Sequence, residues 1–121
     1  MKYLLLLTVP GPIDDVPDPD DAEARATMAR YAALRGDLEV EGVWCGGEAL
    51  QPAAMATGVR RRDGRIVLSE GPFVETSDQL IGYFLVDCDD LDHAVEVAAR
   101  IPAVDDGAIE VRPIWDYEAQ M

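Results

Sequence analysis

Two stretches of this chain are apolar on both faces of an extended backbone, and few folds can cover them. In "MKYLLLL", Tyr3, Leu5 and Leu7 point one way and Leu4 and Leu6 the other. A strand over residues 2–8 therefore needs cover above and below. A second strand over 79–87 sets Leu80, Phe84 and Val86 on one face and Ile81, Tyr83 and Leu85 on the other. At 121 residues the chain has room for one core, so residues 1–121 read as a single domain.

The segments between these strands supply the cover. After the proline-rich, acidic "VPGPIDDVPDPDD", Asp18 is placed to cap a helix with Pro19 in its first turn. Met28, Tyr31, Leu34 and Leu38 follow at helical spacing, and Gly42 ends the helix. A strand resumes over 43–45. "MATGVRRRDGRIVLSE" then reads as a β-hairpin around Asp63-Gly64, a type I′ turn signal. Asp89 or Asp90 caps a second helix with Leu91, Ala94, Val95 and Ala98 on its apolar face, stopped by Pro102. A last strand covers 109–115.

The order is β-α-β, hairpin, β-α-β, which predicts an α+β fold: a ferredoxin-like split βαβ sheet with an inserted β-hairpin and both helices on one face. The other face stays apolar, beyond what a soluble monomer usually exposes. A homodimer with sheets face to face, the dimeric α/β-barrel type, is the economical cover.

Charge narrows the partners. Twenty-four acids against 10 bases leave a formal net charge of -14. Such a field repels phosphate backbones and argues against nucleic-acid binding. The N-terminal apolar run is too short to span a bilayer, and "GPIDDVPDPDD" follows it without a small-residue cleavage site. The expectation is a cytoplasmic protein without membrane contact. Cys45 and Cys88 show neither CxxC nor Cys/His spacing. GxGxxG, P-loop and HExxH are absent, and "DDVPDPDD" lacks the spacing and glycine of an EF-hand loop, so no cofactor or metal is expected.

The candidate chemistry is acidic. In "SEGPFVETSDQLIGYF", Gly71-Pro72 suits a tight turn into the core strand, and Phe73 can tuck beneath it. Glu75 and Asp78 then stand near the strand's entrance, as an ordinary solvated connection or as carboxylates at a cleft mouth. Glu48 follows Gly46-Gly47, where the backbone can approach closely and aim a carboxylate. If Glu48 and Glu75 converge, desolvation and mutual repulsion raise one pKa and make a general acid or base. The alternative is a Glu satisfying a loop or pairing with Arg. Phe73, Asp78 and Tyr83 would shape the pocket, although core packing is the first reading of Tyr83.

Other residues read more plainly. His93 shares a helical face with Glu96, Val97 and Arg100, opposite Leu91, Ala94 and Ala98, which reads as solvated. Cys45 lies inside an apolar strand and reads as a buried, inert thiol, and Cys88 beside Asp87 and Asp89 lacks the positive surroundings of a thiolate. Arg60, Arg61, Arg62 and Arg65 crowd one hairpin, as edge protection or as a patch for an anion or an acidic partner surface.

"MKYLLLL", "GVWCGGEALQP", "RRRDGRIVLSEGPFVETSDQLIGYFLVD", "DLDHAVEVAARIP" and "IEVRPI" together resemble the YCII-related superfamily, specifically its DGPF branch. The resemblance runs over nearly the whole chain in order. Glu70 stands where that branch usually has Asp, which keeps the acid with a longer reach, and Ser77 stands where relatives often carry Lys. The resemblance implies a dimeric ferredoxin-like fold and mostly uncharacterised biochemistry. Founding members carry a His-Asp pair in a cleft. His93 falls in a helix and matches no such motif, so that pair does not carry over. Genes of the branch often neighbour those of extracytoplasmic-function sigma factors. Two functions follow: a small dimeric protein binding or transforming a small molecule by carboxylate chemistry at Glu48 and Glu75, or a non-catalytic accessory module linked to a sigma-factor pathway. The first predicts an open cleft, the second a filled one with an exposed patch elsewhere.

Overall fold

A computed structural model describes residues 1–11, 18, 20–72 and 77–118. Strand β1 (Lys2–Pro10) runs two residues beyond its expected end, because Val9 and Pro10 still find partners on the neighbouring strand. Its odd-numbered residues are the foundation of the core: Tyr3, Leu5 and Leu7 are all buried. Leu4 and Leu6 alternate onto the opposite face and are only partly buried.

Helix α1 (Ala22–Val40) starts later than the spacing predicts. Asp21 is its cap, accepting the Ala24 N–H, while Asp18 instead accepts the Asp20 N–H through Oδ1 at 2.9 Å. Pro19 lies outside the described residues. The far end of α1 follows expectation. Gly42 sits at φ 75°, its N–H donates to the Glu39 carbonyl, and the Val43 N–H reaches back to the Leu38 carbonyl at 2.9 Å. That pair of bonds is a Schellman close, and Leu38 and Val43, both buried, make the apolar contact that accompanies it.

Strand β2 (Trp44–Ala49), strand β3 (Thr57–Arg62), strand β4 (Arg65–Glu70) and strand β5 (Asp78–Asp87) follow, then helix α2 (Leu91–Ala99), the single turn α3 (Ala103–Asp106) and strand β6 (Ala108–Pro113). Four strands form one sheet in the order β2-β5-β1-β6, with every neighbouring pair antiparallel. An antiparallel α+β sheet in that order, with helices after β1 and β5, is compatible with a ferredoxin-like fold. Strands β3 and β4 pair only with each other among the described residues. Asp63 and Gly64 join them at φ 49° and 78°, the positive values that a type I′ turn demands.

Two bulges correct the simple alternation. Leu7 pairs with Gly82 but Thr8 with Leu80, so Ile81 is the extra residue of β5. Leu80 is thereby carried from the expected core face to the opposite one, where it is 43% exposed, and Ile81 packs against the core instead. Phe84 and Val86 stay buried on the helix side, with Tyr83 and Leu85 partly buried on the other. On β2, Trp44 pairs with Val86 and Gly46 with Leu85, so Cys45 is bulged out. That overturns the buried thiol expected there: Cys45 is exposed. Cys88 is buried, and burial, with the Asp87 charge next, pushes its thiol pKa up.

The face assignment of α2 also changes. Asp90 caps it by accepting the His93 N–H, which turns Ala94, Val97 and Ala98 inward with Ile101 beyond. Val97 is therefore core rather than solvated, and Leu91 and Val95 stand about half exposed. His93 is partly buried, its Nδ1 accepting the Asp89 N–H at 3.0 Å. Arg100 grips Glu41 with both terminal nitrogens, at 2.9 and 2.8 Å, tying the end of α2 to the end of α1. This hydrogen-bonded pairing holds the Glu41 carboxyl below the usual carboxylate range. The buried side chains of α1 and α2 join Tyr3, Leu5 and Leu7 in one cluster on one side of the sheet.

Candidate functional site

The first half of α1 and the β2–β5 side of the sheet do not close on each other. Between them lies a cleft of about 680 Å³, with Leu7, Met28, Tyr31, Trp44, Ile81 and Phe84 as its apolar lining. Asp21, Glu23 and Arg35 supply polar groups along it. Three aromatic rings make the wall. Trp44 stands edge-on to Phe84 at 5.0 Å, and Tyr31 meets the same Phe84 edge-on at 6.4 Å. The Arg35 guanidinium lies over the Trp44 ring at 5.1 Å while its Nε donates to Glu39 Oε1 at 2.8 Å. Burial pushes the Tyr31 phenol up, and a hydrogen bond with the Ala103 backbone and the Arg30 charge pull the other way.

Local sequence explains why the cleft is there. Gly47 faces the Trp44 ring, and a Cβ on it would stand 2.6 Å from Trp44 Cη2. The missing side chain leaves the room that the indole takes. Met28, 68% exposed, overhangs the opening rather than entering the core as its spacing predicts.

A second depression of about 510 Å³ lies at the root of the β3–β4 hairpin, lined by Leu50, Pro52, Met55, Pro72, Asp78 and Leu80 among others. The root is closed by Gly71, at φ 80°, whose N–H donates to the Ala56 carbonyl at 2.8 Å. The rest of the turn expected at Gly71-Pro72 runs into residues outside those described.

The expected site residues are spread over these places. Glu48 is exposed on β2 and borders the cleft, but the register sets it beside Tyr83, on the sheet face turned away from the helices. Tyr83 sits in the row Glu48–Tyr83–Leu6, away from the helices. It does not line the cleft. Asp78 opens β5 opposite Pro10 and lines the root depression instead. Glu75 and Phe73 lie outside the described residues. The register brings Glu48 and Tyr83 together and sets Asp78 apart from both. Sequence reasoning missed Trp44, Ile81 and Arg35 as cleft residues. The available signal was "WCGG", an aromatic with two residues lacking side chains just beyond Cys45.

Comparison with known proteins places this geometry in context. The family model described as the YCII-related domain matches residues 1–118. An uncharacterised protein of Rhizobium meliloti (strain 1021) is 37% identical over 71 residues, which are 57% of this chain and 57% of the relative. The chain thus spans little more than half the length of that relative. No helix among the described residues is long and apolar enough to cross a membrane.

Proposed function

The chain belongs to the YCII-related domain family, and from that premise we propose that it binds a small, flat, largely apolar molecule in the cleft beneath α1. The observation that carries this reading is the open volume itself, about 680 Å³ walled by Trp44, Tyr31 and Phe84. Ligand sites are commonly apolar concavities of this size with a few polar groups to fix orientation. A non-catalytic accessory module calls for a filled cleft, and this one is open. Arg35, Asp21 and Glu23 are the polar groups along the cleft that can orient what enters. Acid-base chemistry at Glu48 and Glu75 is not part of this reading, because the register turns Glu48 toward Tyr83.

The test is a fragment screen read by methyl shifts of Leu7, Met28 and Ile81. Thr27, half-buried on α1 and one turn from Tyr31, lines the same cleft. Thr27→Phe should fill the opening and weaken any hit by about tenfold or more. Hits that leave these three methyls unmoved, or bind Thr27→Phe as well as wild type, would retire the cleft.

The protein acts as a homodimer in this reading, in the dimeric α/β-barrel manner. Support comes from the sheet face opposite the helices. Leu4, Leu6, Tyr83 and Leu85 share it, each partly exposed, with Leu80 at its end. Burying such a row against its own copy removes apolar surface from water at about 25 cal/mol per Å².

A further inference from the structure

The β3–β4 hairpin mixes apolar and basic residues on both sides, and every residue of its two strands except Gly58 is exposed. Its register pairs Val59 with Leu68 and Arg61 with Ile66, which puts these four on one face; Arg60, Val67, Arg62 and Arg65 take the other. Every residue of β4 is exposed, and Val59, Ile66 and Leu68 are 57%, 55% and 65% exposed. A two-stranded ribbon in water is marginal by itself. Its apolar face also carries a charge gradient, with Arg61 toward the tip and Glu70, paired with Thr57, at the root. That pattern is self-complementary. Two such faces laid antiparallel about a two-fold axis match apolar centre to apolar centre and basic tip to acidic root.

We propose that the hairpin is an exchange arm, each arm lying apolar face down along the arm of a second copy, with Arg61 reaching the partner's Glu70. The occupant is argued from charge. The hairpin holds four of the chain's 10 basic residues while the whole chain stands at -14. A tip this basic suits the carboxylates of its own kind, and the acidic whole disfavours a nucleic acid. The depression at the hairpin root offers further apolar surface through Leu50, Met55 and Leu80, which are 45%, 66% and 43% exposed. The tip of the partner's arm abuts it. The inference rests on the homodimer proposed above and assigns it a second contact.

Sedimentation velocity over a concentration series of the full chain tests the arm. Leu68→Asp should weaken self-association by about 100-fold, as loss of a central apolar anchor does. At concentrations where the wild type is itself dissociated, its thermal midpoint should match the wild-type value, because Leu68 is exposed in the protomer. Arg61→Glu should weaken association by about tenfold and the double variant Arg61→Glu/Glu70→Arg should restore it, a rescue that hairpin damage cannot produce. Leu6→Asp, on the sheet face, separates the two readings. If Leu6→Asp dissociates the dimer and Leu68→Asp leaves it within about twofold of wild type, the arm is overturned and the sheet-face dimer stands. The reverse outcome keeps the arm and overturns the sheet face. A wild-type chain that stays monomeric overturns both.

Discussion

Leu38→Ala should lower the thermal midpoint by about 10–20 °C, the largest loss expected from any single truncation in this chain. Leu38 is fully buried and sits where three supports meet. Its side chain belongs to the cluster with Leu5, Leu34 and Val97. Its carbonyl accepts the Val43 N–H that closes α1. Its apolar contact with Val43 fixes the entry to β2. Removing three carbons from such a site forfeits their transfer free energy and leaves a cavity that rigid neighbours cannot fill, about 3–4 kcal/mol together. A domain of this size holds about 5–15 kcal/mol in total, so a large share of its stability goes. Met28→Ala on the same helix is the control, since Met28 is exposed; it should change stability by less than about 0.5 kcal/mol. Calorimetry on the two variants checks the pair. A Leu38→Ala midpoint within a few degrees of Met28→Ala would mean that α1 is not anchored where the core cluster places it.

The elements of this fold were legible wherever one residue type alone could meet a backbone demand. Gly42 was readable as the stop of α1, and Asp63-Gly64 as a turn, because positive φ leaves few alternatives. Where several residues could serve, the choice was lost. Asp18, Asp20 and Asp21 are all competent caps by residue type, and the fold uses Asp21. In a helix of nine residues the apolar positions admit two faces, and the Asp90 cap decides for Ala94 and Val97 over Leu91 and Val95. Bulges were invisible for a different reason. A bulge belongs to a pair of strands, so neither the extra Ile81 nor the extruded Cys45 is written in its own strand.

The site was less legible than the fold. Acids attract notice as chemistry, yet a chain with 24 of them offers many that serve only solvation. The cleft is lined instead by Leu7, Tyr31, Trp44 and Phe84, residue types that read as core in any sequence. What separates a cleft wall from a core is the space left beside it, and that space is created by what is missing, above all at Gly47.

Gly47→Ala therefore carries the second large effect, and Gly46→Ala beside it should show a small one of the opposite sign. A Cβ at Gly47 would lie 2.6 Å from Trp44 Cη2, 2.7 Å from the Tyr83 carbonyl oxygen and 3.3 Å from Phe84 Cα. The indole can turn, but only into the cleft that it now walls. The Tyr83 and Phe84 contacts are backbone of β5 and cannot turn at all, so β2 must shift from its partner strand. Overpacking of this kind costs about 1–3 kcal/mol. At Gly46 a Cβ would meet nothing within 4 Å, and its φ is not in the left-handed region. Alanine there loses no contact and restricts the unfolded chain, a gain of about 0.4–1 kcal/mol. The two neighbours should thus move the thermal midpoint in opposite directions. Gly47→Ala should also change tryptophan emission and abolish fragment-induced shifts at Leu7 and Ile81, while Gly46→Ala preserves them. Equal midpoints in the two variants would show that β2 does not press on β5 as described. A destabilised Gly47→Ala that still binds fragments like wild type would separate strand pairing from ligand binding and remove Trp44 from the site.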